Sequence, residues 1–458
     1  MDFLELLKTG KINEAIPMMS KKPDVENYTK EFNNERDIRD TQVGKRKDKI
    51  SKNETIKVTK IPIPFQRQIV KTASTFLFGN PVKLVERKNQ DQSDDQNKDA
   101  FLAIIDLWDD LRMDPMLLKL CRAVKSETEA AIIFFDVKKE GEKEVKIKSS
   151  LKTSKNGKLL PVFDAFGDMI AFGWEYTTKE SDKDVGYLYV WTNDVKYTFK
   201  RTSKDWVEEN KETNLFKKIP AVYLSQDHPE WWEVQDLIDR FEMSFSKFGD
   251  TNDYFASPMY KVKGAVKSIP KKDETGKMVK LDIVETDKGN VIEADLEVIG
   301  WDRAPEALKL EFETEKALIY GLTDTPDLSF DNVKGIGNIS GIALKLMFLG
   351  PMLKAKEGKG DYQILISRII NVMKAGISNI SNTSLKAKLD ALKIDVEFTS
   401  VLPENLKEII EILSDATGNK PVMSQKTAVS FNPLVNNNDE ELENIKSEGQ
   451  LELGDTVN

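Results

Sequence analysis

The sequence predicts an α+β chain, and three observations carry that reading. Between 159 and 201 several β-rich runs follow one another, separated by glycine and charged residues. From Trp231 to Phe248 the apolar residues recur at helical spacing instead, at 231, 234, 237, 238, 241, 245 and 248. Between 257 and 302 a compact β-rich module then separates this helix from a second one over 304–322, whose stripe is Leu308, Phe312, Ile319 and Leu322.

Taken in order, the first 60 residues are polar and charged, with a basic cluster "GKRKDKISK" from Gly44 to Lys52, and read as an exposed arm or loop with a solvated surface. The opening "MDFLELLKTG" mixes acids and leucines in one amphipathic turn and lacks the charged-then-apolar pattern of a signal sequence. Phe65, Ile69, Thr72 and Phe76 recur at helical spacing until Gly79-Asn80-Pro81 stops the helix. A polar surface loop, "NQDQSDDQNKDA" at 89–100, precedes a single helix expected over 101–124. Cys121 falls on the core side of that helix. "AAIIFFDV" reads as a buried strand, and "YLYVW" and "VKYTFK" flank Asn193-Asp194 as a two-residue hairpin, so the N-terminal half is expected to hold an antiparallel sheet.

In the C-terminal third, Ile342, Leu346, Leu349 and Leu353 form a helical stripe that Ile366, Ile369, Ile370, Met373, Ile377 and Ile380 continue. Pro351 lies within it, removes a backbone donor and is expected to bend or break the helix. "LKIDVEF" alternates, with Leu392, Ile394, Val396 and Phe398 on one face, as a half-buried strand returning to a sheet. Leu406, Ile409, Ile410 and Leu413 mark a helix after Pro403, and Asn438 with Glu441 forms a capping-box pattern for a short last helix in an acidic tail.

Several kinds of chemistry are excluded or weakened. The balance of 68 basic against 77 acidic residues gives −9, so the bulk field does not favour nucleic acid and any DNA contact must be local. With one cysteine and one histidine there is no zinc set, no disulfide framework and no cofactor signature. His228 precedes a proline at a helix entrance with no orienting partner in view, and reads as structural. The apolar stretch 336–353 contains Asn338, Lys345 and Pro351 and is too short and interrupted to span a bilayer. The glycines at 335, 337 and 341 suggest a dinucleotide loop, and hence a nucleotide-binding enzyme. "TDTPDLSFDNV" is no strand, however, no acid lies at the tip of a second strand, and no G-x-x-x-x-G-K-[ST] occurs. No catalytic or metal residue is nominated.

What remains is the order helix, β module, helix, glycine-rich loop, kinked helix, strand and acidic end. With "FLFGNPV" at 76–82, "TPDLSFDNVKGIGNISGIALKLMFLG" at 325–350 and the closing "VMSQKTAVSFNPLVNNNDEELENIKSE", it resembles the SPP1-like, Siphoviridae-type bacteriophage portal family. The resemblance covers roughly 65 to 450. It departs where "NVKGI" reshapes the loop between Asp331 and Gly337, and over 125–220 it matches only in outline.

The resemblance implies an N-terminal arm (1–64), a wing (65–230), a first stem helix (231–256), a clip (257–302) and a second stem helix (303–324). A tunnel loop (325–340), a kinked helix with returning wing strand (341–402), and a crown with acidic tail (403–458) follow. It implies a head-to-tail ring of roughly twelve copies at one capsid vertex, through whose channel double-stranded DNA is packaged and ejected with weak contacts. Implied partners are other copies of the chain, the terminase large subunit, a head-tail connector or adaptor, and the major capsid and scaffold proteins. The location is the virion, with the host cytoplasm during assembly, and no membrane. The expected DNA-facing residues of the tunnel loop are Asn332, Lys334, Gly335, Gly337 and Asn338.

The clip is split in charge: 261–280 carries seven lysines against two acids, and 281–302 seven acids against one lysine. Lys261, Lys263, Lys267, Lys271 and Lys272 on one side and Glu293, Asp295 and Glu297 on the other are therefore expected at an inter-subunit or motor-docking surface, the alternative being two solvated faces of one module. A different phage head protein, such as an adaptor, is the alternative function.

Overall fold

The computed structural model describes residues 3–19, 25–35, 38, 46–51, 54–87, 97–138, 145–202, 205–255, 259–263, 265–268, 280–282, 284–285, 291–292, 295–299, 305–327, 346–399, 401, 406–418, 421–432, 434–435 and 438–455. Helices α1 (Phe3–Lys8), α2 (Ile12–Ala15) and α3 (Val25–Phe32) and a ribbon of β1 (Lys49–Ser51) and β2 (Glu54–Ile56) lead into α4 (Phe65–Phe78). After β3 (Lys83–Glu86) come α5 (Lys98–Asp110) and α6 (Met113–Glu127). The helix expected over 101–124 is thus two helices. Arg112 sits at φ 52, ψ 52, a left-handed conformation that a right-handed helix cannot pass through. Asp114 fixes the corner by accepting from the Trp108 indole N–H at 3.2 Å and the Val82 N–H at 3.1 Å.

Eight strands follow: β4 (Glu129–Lys138), β5 (Val145–Thr153), β6 (Lys158–Phe163), β7 (Met169–Glu180), β8 (Lys183–Trp191), β9 (Val195–Thr202), β10 (Asp205–Thr213) and β11 (Ala221–Ser225). They form an antiparallel five-stranded sheet, β10-β9-β8-β7-β6, and an antiparallel three-stranded sheet, β11-β4-β5. The Asn193-Asp194 turn is where the sequence places it: Trp191 pairs with Lys196, and Thr192 N–H donates to Val195 O at 2.9 Å. The β7–β8 turn uses Ser181 and Asp182, both at positive φ (46° and 65°), the backbone that matches strand twist across a two-residue hairpin.

The sheets stack in layers. Ala130, Ile132 and Phe134 of β4 face a helical layer built by α5, α6 and a later helix, Leu349–Gly376, whereas Ala131 and Ile133 pack against Leu159, Phe172, Trp174 and Trp191 of the five-stranded sheet. β4 is therefore covered on both faces, which is why "AAIIFF" is continuously apolar rather than alternating. The opposite face of the five-stranded sheet, with Leu188, Val190, Tyr197 and Phe199, is covered by Phe3, Leu6, Leu7 and Ile12. The opening residues are thus no exposed arm. Each large apolar side chain buried there contributes roughly 1.5–3 kcal/mol, enough to hold a six-residue helix that would not persist alone.

Beyond a 3₁₀ turn at Trp232–Val234, α7 (Gln235–Phe255) leads to six short strands: β12 (Met259–Lys263), β13 (Ala265–Ser268), β14 (Lys280–Asp282), β15 (Val284–Glu285), β16 (Val291–Ile292) and β17 (Asp295–Ile299). α8 (Pro305–Leu322) then returns alongside α7, with Phe241, Phe245, Phe248 and Phe312 clustered between them at centroid distances of 5.4–6.5 Å. The base of this hairpin packs on Phe65, Ile69 and Val70 of α4.

α9 (Leu349–Gly376) is the long helix predicted around Pro351. Leu346 and Met347 are helical, Phe348 is a turn residue, and the helix restarts at Leu349. Pro351 then sits in the first turn, where its missing N–H has no partner to lose. Ile366, Ile369, Ile370 and Met373 are buried as expected, but Leu346, Leu349 and Leu353 are exposed. α9 passes into a π-helical turn, Ile377–Ser381, then α10 (Lys386–Ala391). β18 (Ile394–Glu397) pairs antiparallel with β3, so the returning strand joins a two-stranded ribbon and not a main sheet. Helices α11 (Leu406–Thr417), α12 (Gln425–Phe431) and α13 (Asn438–Asp455) close the chain. The last helix is 18 residues long, not short, and Asn438 is its first residue rather than its cap.

Candidate functional site

The nominated loop residues Asn332, Lys334, Gly335, Gly337 and Asn338 lie outside the described residues, but both ends of their segment are described and meet. α8 ends at Leu322, and Thr323 tucks its hydroxyl back onto Ile319 O at 2.7 Å and Thr325 Oγ1 at 3.0 Å. Asp324, at φ 51, turns the chain, and Thr325 N–H closes onto Tyr320 O at 2.9 Å. The start of α9 lies against this turn: a Cβ on Gly350 would stand 2.9 Å from Asp324 Oδ1, so a side chain there would require the Asp324 carboxylate to shift.

A lysine ties the two ends to the rest of the molecule. Lys354 Nζ, one turn into α9, donates to Thr323 O at 2.8 Å and pairs with Glu230 Oε1 at 2.6 Å. Lys125 of α6 pairs with the other carboxylate oxygen, Glu230 Oε2, at 2.7 Å, and the Glu230 N–H donates to Lys125 O at 2.9 Å. Burial alone would raise the Glu230 carboxyl; Lys125 and Lys354 more than offset it and hold it below the ordinary glutamate range. Lys316 of α8 and Asp327 form a further pair at 2.8 Å. The described residues on either side of 328–345 are thus tied together through one charged knot, Lys125–Glu230–Lys354. Sequence reading missed this knot because Lys125 and Glu230 stand 105 residues apart in no local pattern.

His228 stacks on Trp232 with centroids 4.5 Å apart and planes 8° from parallel, in keeping with a structural role at the helix entrance. Cys121 is fully buried, and burial pushes its thiol up to about 11. Among the described residues no group of three or more His, Cys, Asp or Glu is placed to hold a metal, and no helix is long and apolar enough to cross a membrane.

In the β-rich insert the structure brings opposite charges together within one chain. β12 and β17 pair with Lys261 opposite Glu297 and Lys263 opposite Asp295, and Lys261 Nζ lies 3.1 Å from Glu297 Oε2. Both partners are more than half exposed, so the pair is worth little. Lys267 is the residue skipped where the β13–β14 register shifts between Val266 and Ser268. Lys271, Lys272 and Glu293 lie outside the described residues.

The α7–α8 hairpin carries two kinds of face. Inward lie the phenylalanines; at its flank Arg240 pairs with Glu311 at 2.6 Å and Glu315 at 3.6 Å. Outward, Leu310, Leu318 and Leu322 of α8 are 65%, 44% and 57% exposed, so Leu322 does not join the buried stripe expected of it. Leu349, Leu353 and Ile364 expose a second set of aliphatic groups on α9.

The family profile described as "Phage portal protein, SPP1 Gp6-like" matches residues 19–454. Among solved structures, a chain from the "Virion of native gene transfer agent (GTA) particle" is 11% identical with a TM-score of 0.45, covering 93% of this chain and 99% of that one. A chain from the "Neck of native GTA particle computed with C12 symmetry" is 12% identical with a TM-score of 0.40, covering 81% and 89%. No curated protein sequence matches the chain.

Proposed function

Because the chain belongs to the phage portal protein family, SPP1 Gp6-like, we propose that it assembles head-to-tail into a ring of roughly twelve copies at one capsid vertex. The axial channel of that ring passes double-stranded DNA during packaging and ejection. The observation that carries the reading is the extent of the family match, 19–454, which takes in every element from the α3 region to the last helix. It is supported by the aliphatic residues that α8 and α9 leave exposed in a single chain. A head-to-tail ring needs two complementary surfaces per subunit, and Leu310, Leu318 and Leu322 are suited to one of them.

In this reading α7 and α8 form the stem, the insert 257–302 the clip, and 325–340 the loop that narrows the channel. Its glycines relax backbone restrictions so that the loop shifts as DNA passes, and Lys334 with Asn332 and Asn338 makes only weak phosphate contacts. The described residues on either side, tied together, give the reason that such a shift stays local. Lys267, Lys271, Lys272 and Glu293 remain the clip charges suited to a neighbour or to a terminase large subunit, whereas Lys261 and Glu297 answer each other. Connector, capsid and scaffold proteins are the further partners, the virion is the site of action, and ATP hydrolysis belongs to the separate motor.

The test is negative-stain electron microscopy with mass determination on purified protein. Rings with an axial hole are expected. A 52.1 kDa monomer that neither closes rings nor joins particles formed by capsid and scaffold proteins overturns the reading and leaves the adaptor alternative.

A further inference from the structure

Where α9 gives way to its π-helical turn, a cavity of about 390 Å³ opens between that turn, α10 and the loop joining β10 to β11. Four lysines line it, Lys217, Lys218, Lys374 and Lys386, against one carboxylate, Asp390, a local balance of four minus one, or +3. Lys374 donates to Leu392 O. Among the described residues Lys217, Lys218 and Lys386 form no ion pair. The negative end of the α9 dipole accounts for one nearby cation and not for four.

The loop that carries two of these lysines is rigidly held. Asn214, almost fully buried, donates to Lys218 O at 2.7 Å and Thr192 O at 2.8 Å, and accepts from Phe216 N–H at 3.1 Å. Asn379, on the π turn itself, donates to Phe216 O at 3.0 Å and joins the loop to the helix end. Gly376 allows the approach, since a Cβ there would come 2.7 Å from Ile147 and 3.0 Å from Phe216. Burial lowers the Lys374 ammonium below its ordinary value; Asp390 opposes that shift and Lys218 adds to it, so like charge is concentrated where an anion would relieve it.

We propose that this cavity is a phosphate-binding site, in which Lys217, Lys218, Lys374 and Lys386 take the oxyanions of a phosphate ester or of the nucleic-acid backbone and Asn371 on the rim adds an amide donor. Its volume, about a dozen times the share of one water, accommodates more than one phosphate group. The proposal concerns one chain and does not rest on the ring reading.

Calorimetry with inorganic pyrophosphate and fluorescence anisotropy with a labelled DNA duplex, on the full chain at several salt concentrations, test it. Lys218→Ala/Lys386→Ala is compared with Lys179→Ala/Lys183→Ala, which removes the same charge from the β7–β8 hairpin; circular dichroism confirms that both fold. The cavity variant is expected to weaken pyrophosphate binding about tenfold, with the control unchanged. If pyrophosphate also displaces DNA, and the slope of log K against log salt falls by about 2 in the cavity variant alone, the backbone is the source. Pyrophosphate binding with no such effect on DNA assigns the site to a free phosphate compound. Absence of pyrophosphate binding, or equal behaviour of the two variants, overturns the proposal.

Discussion

Glu230 joins α6 to the start of α9, through Lys125 on one carboxylate oxygen and Lys354 on the other, beside the described ends of the 328–345 segment. Lys125 and Glu230 are each about nine-tenths buried at the side chain, and Lys125→Met removes one of the two ammonium partners of Glu230, leaving Lys354 as the other. It is expected to destabilise the fold by about 1–3 kcal/mol, read from urea unfolding. The pH dependence has a defined sign. The folded Glu230 carboxyl lies below its unfolded value of about 4.3, so its contribution is complete above that pH and is lost as pH falls through the lower folded value. In Glu230→Gln the loss of stability on acidification should be shallower in that window; an unchanged acid profile would mean that other carboxylates carry it. Cys121 gives a second expectation. A fully buried thiol held at about 11 should not react with a disulfide reagent at pH 8 until the protein unfolds, so labelling should track global unfolding.

Among the elements, the two short N-terminal helices matter beyond their length. They close one face of the five-stranded sheet, and without them Leu188, Val190 and Phe199 would be bare. Phe3→Ala is expected to cost about 3–5 kcal/mol and to raise binding of a hydrophobic dye; a change within about 0.5 kcal/mol would show the helices to be dispensable. The π turn after α9 is similarly constrained. Gly376→Ala should cost about 1–3 kcal/mol because the added methyl meets Ile147 and Phe216, and denaturant unfolding reads it directly.

For the whole molecule, the exposed aliphatic groups of α8 are the natural target. Leu310→Ser/Leu318→Ser/Leu322→Ser should abolish rings in electron micrographs while leaving the monomer's unfolding midpoint nearly unchanged, because the wild-type side chains already face solvent. Rings from the triple variant would place the subunit contact elsewhere. Replacing Gly335 and Gly337 by valine should leave rings intact and impair packaging, whereas normal packaging would count against a moving loop.

The sequence by itself determined what short-range pattern encodes: the buried strand "AAIIFFDV", the Asn193-Asp194 hairpin, the α7 and α8 stripes around a β-rich insert, and the set of motifs that resembles the portal family. These follow from periodicities of two and 3.6 and from turn chemistry, all held within a few residues. Only the tertiary structure decided that Phe3 and Leu7 cover a sheet some 160 to 200 residues away, that Arg112 breaks a helix, and that Leu322, Leu349 and Leu353 face outward. It alone united Lys125, Glu230 and Lys354, and gathered four lysines from three separate segments around one cavity. An amphipathic stripe states that a face is apolar but not which surface covers it, and an ion pair between distant residues leaves no period to read. Such partners are chosen by how the layers stack, a property of the folded chain as a whole.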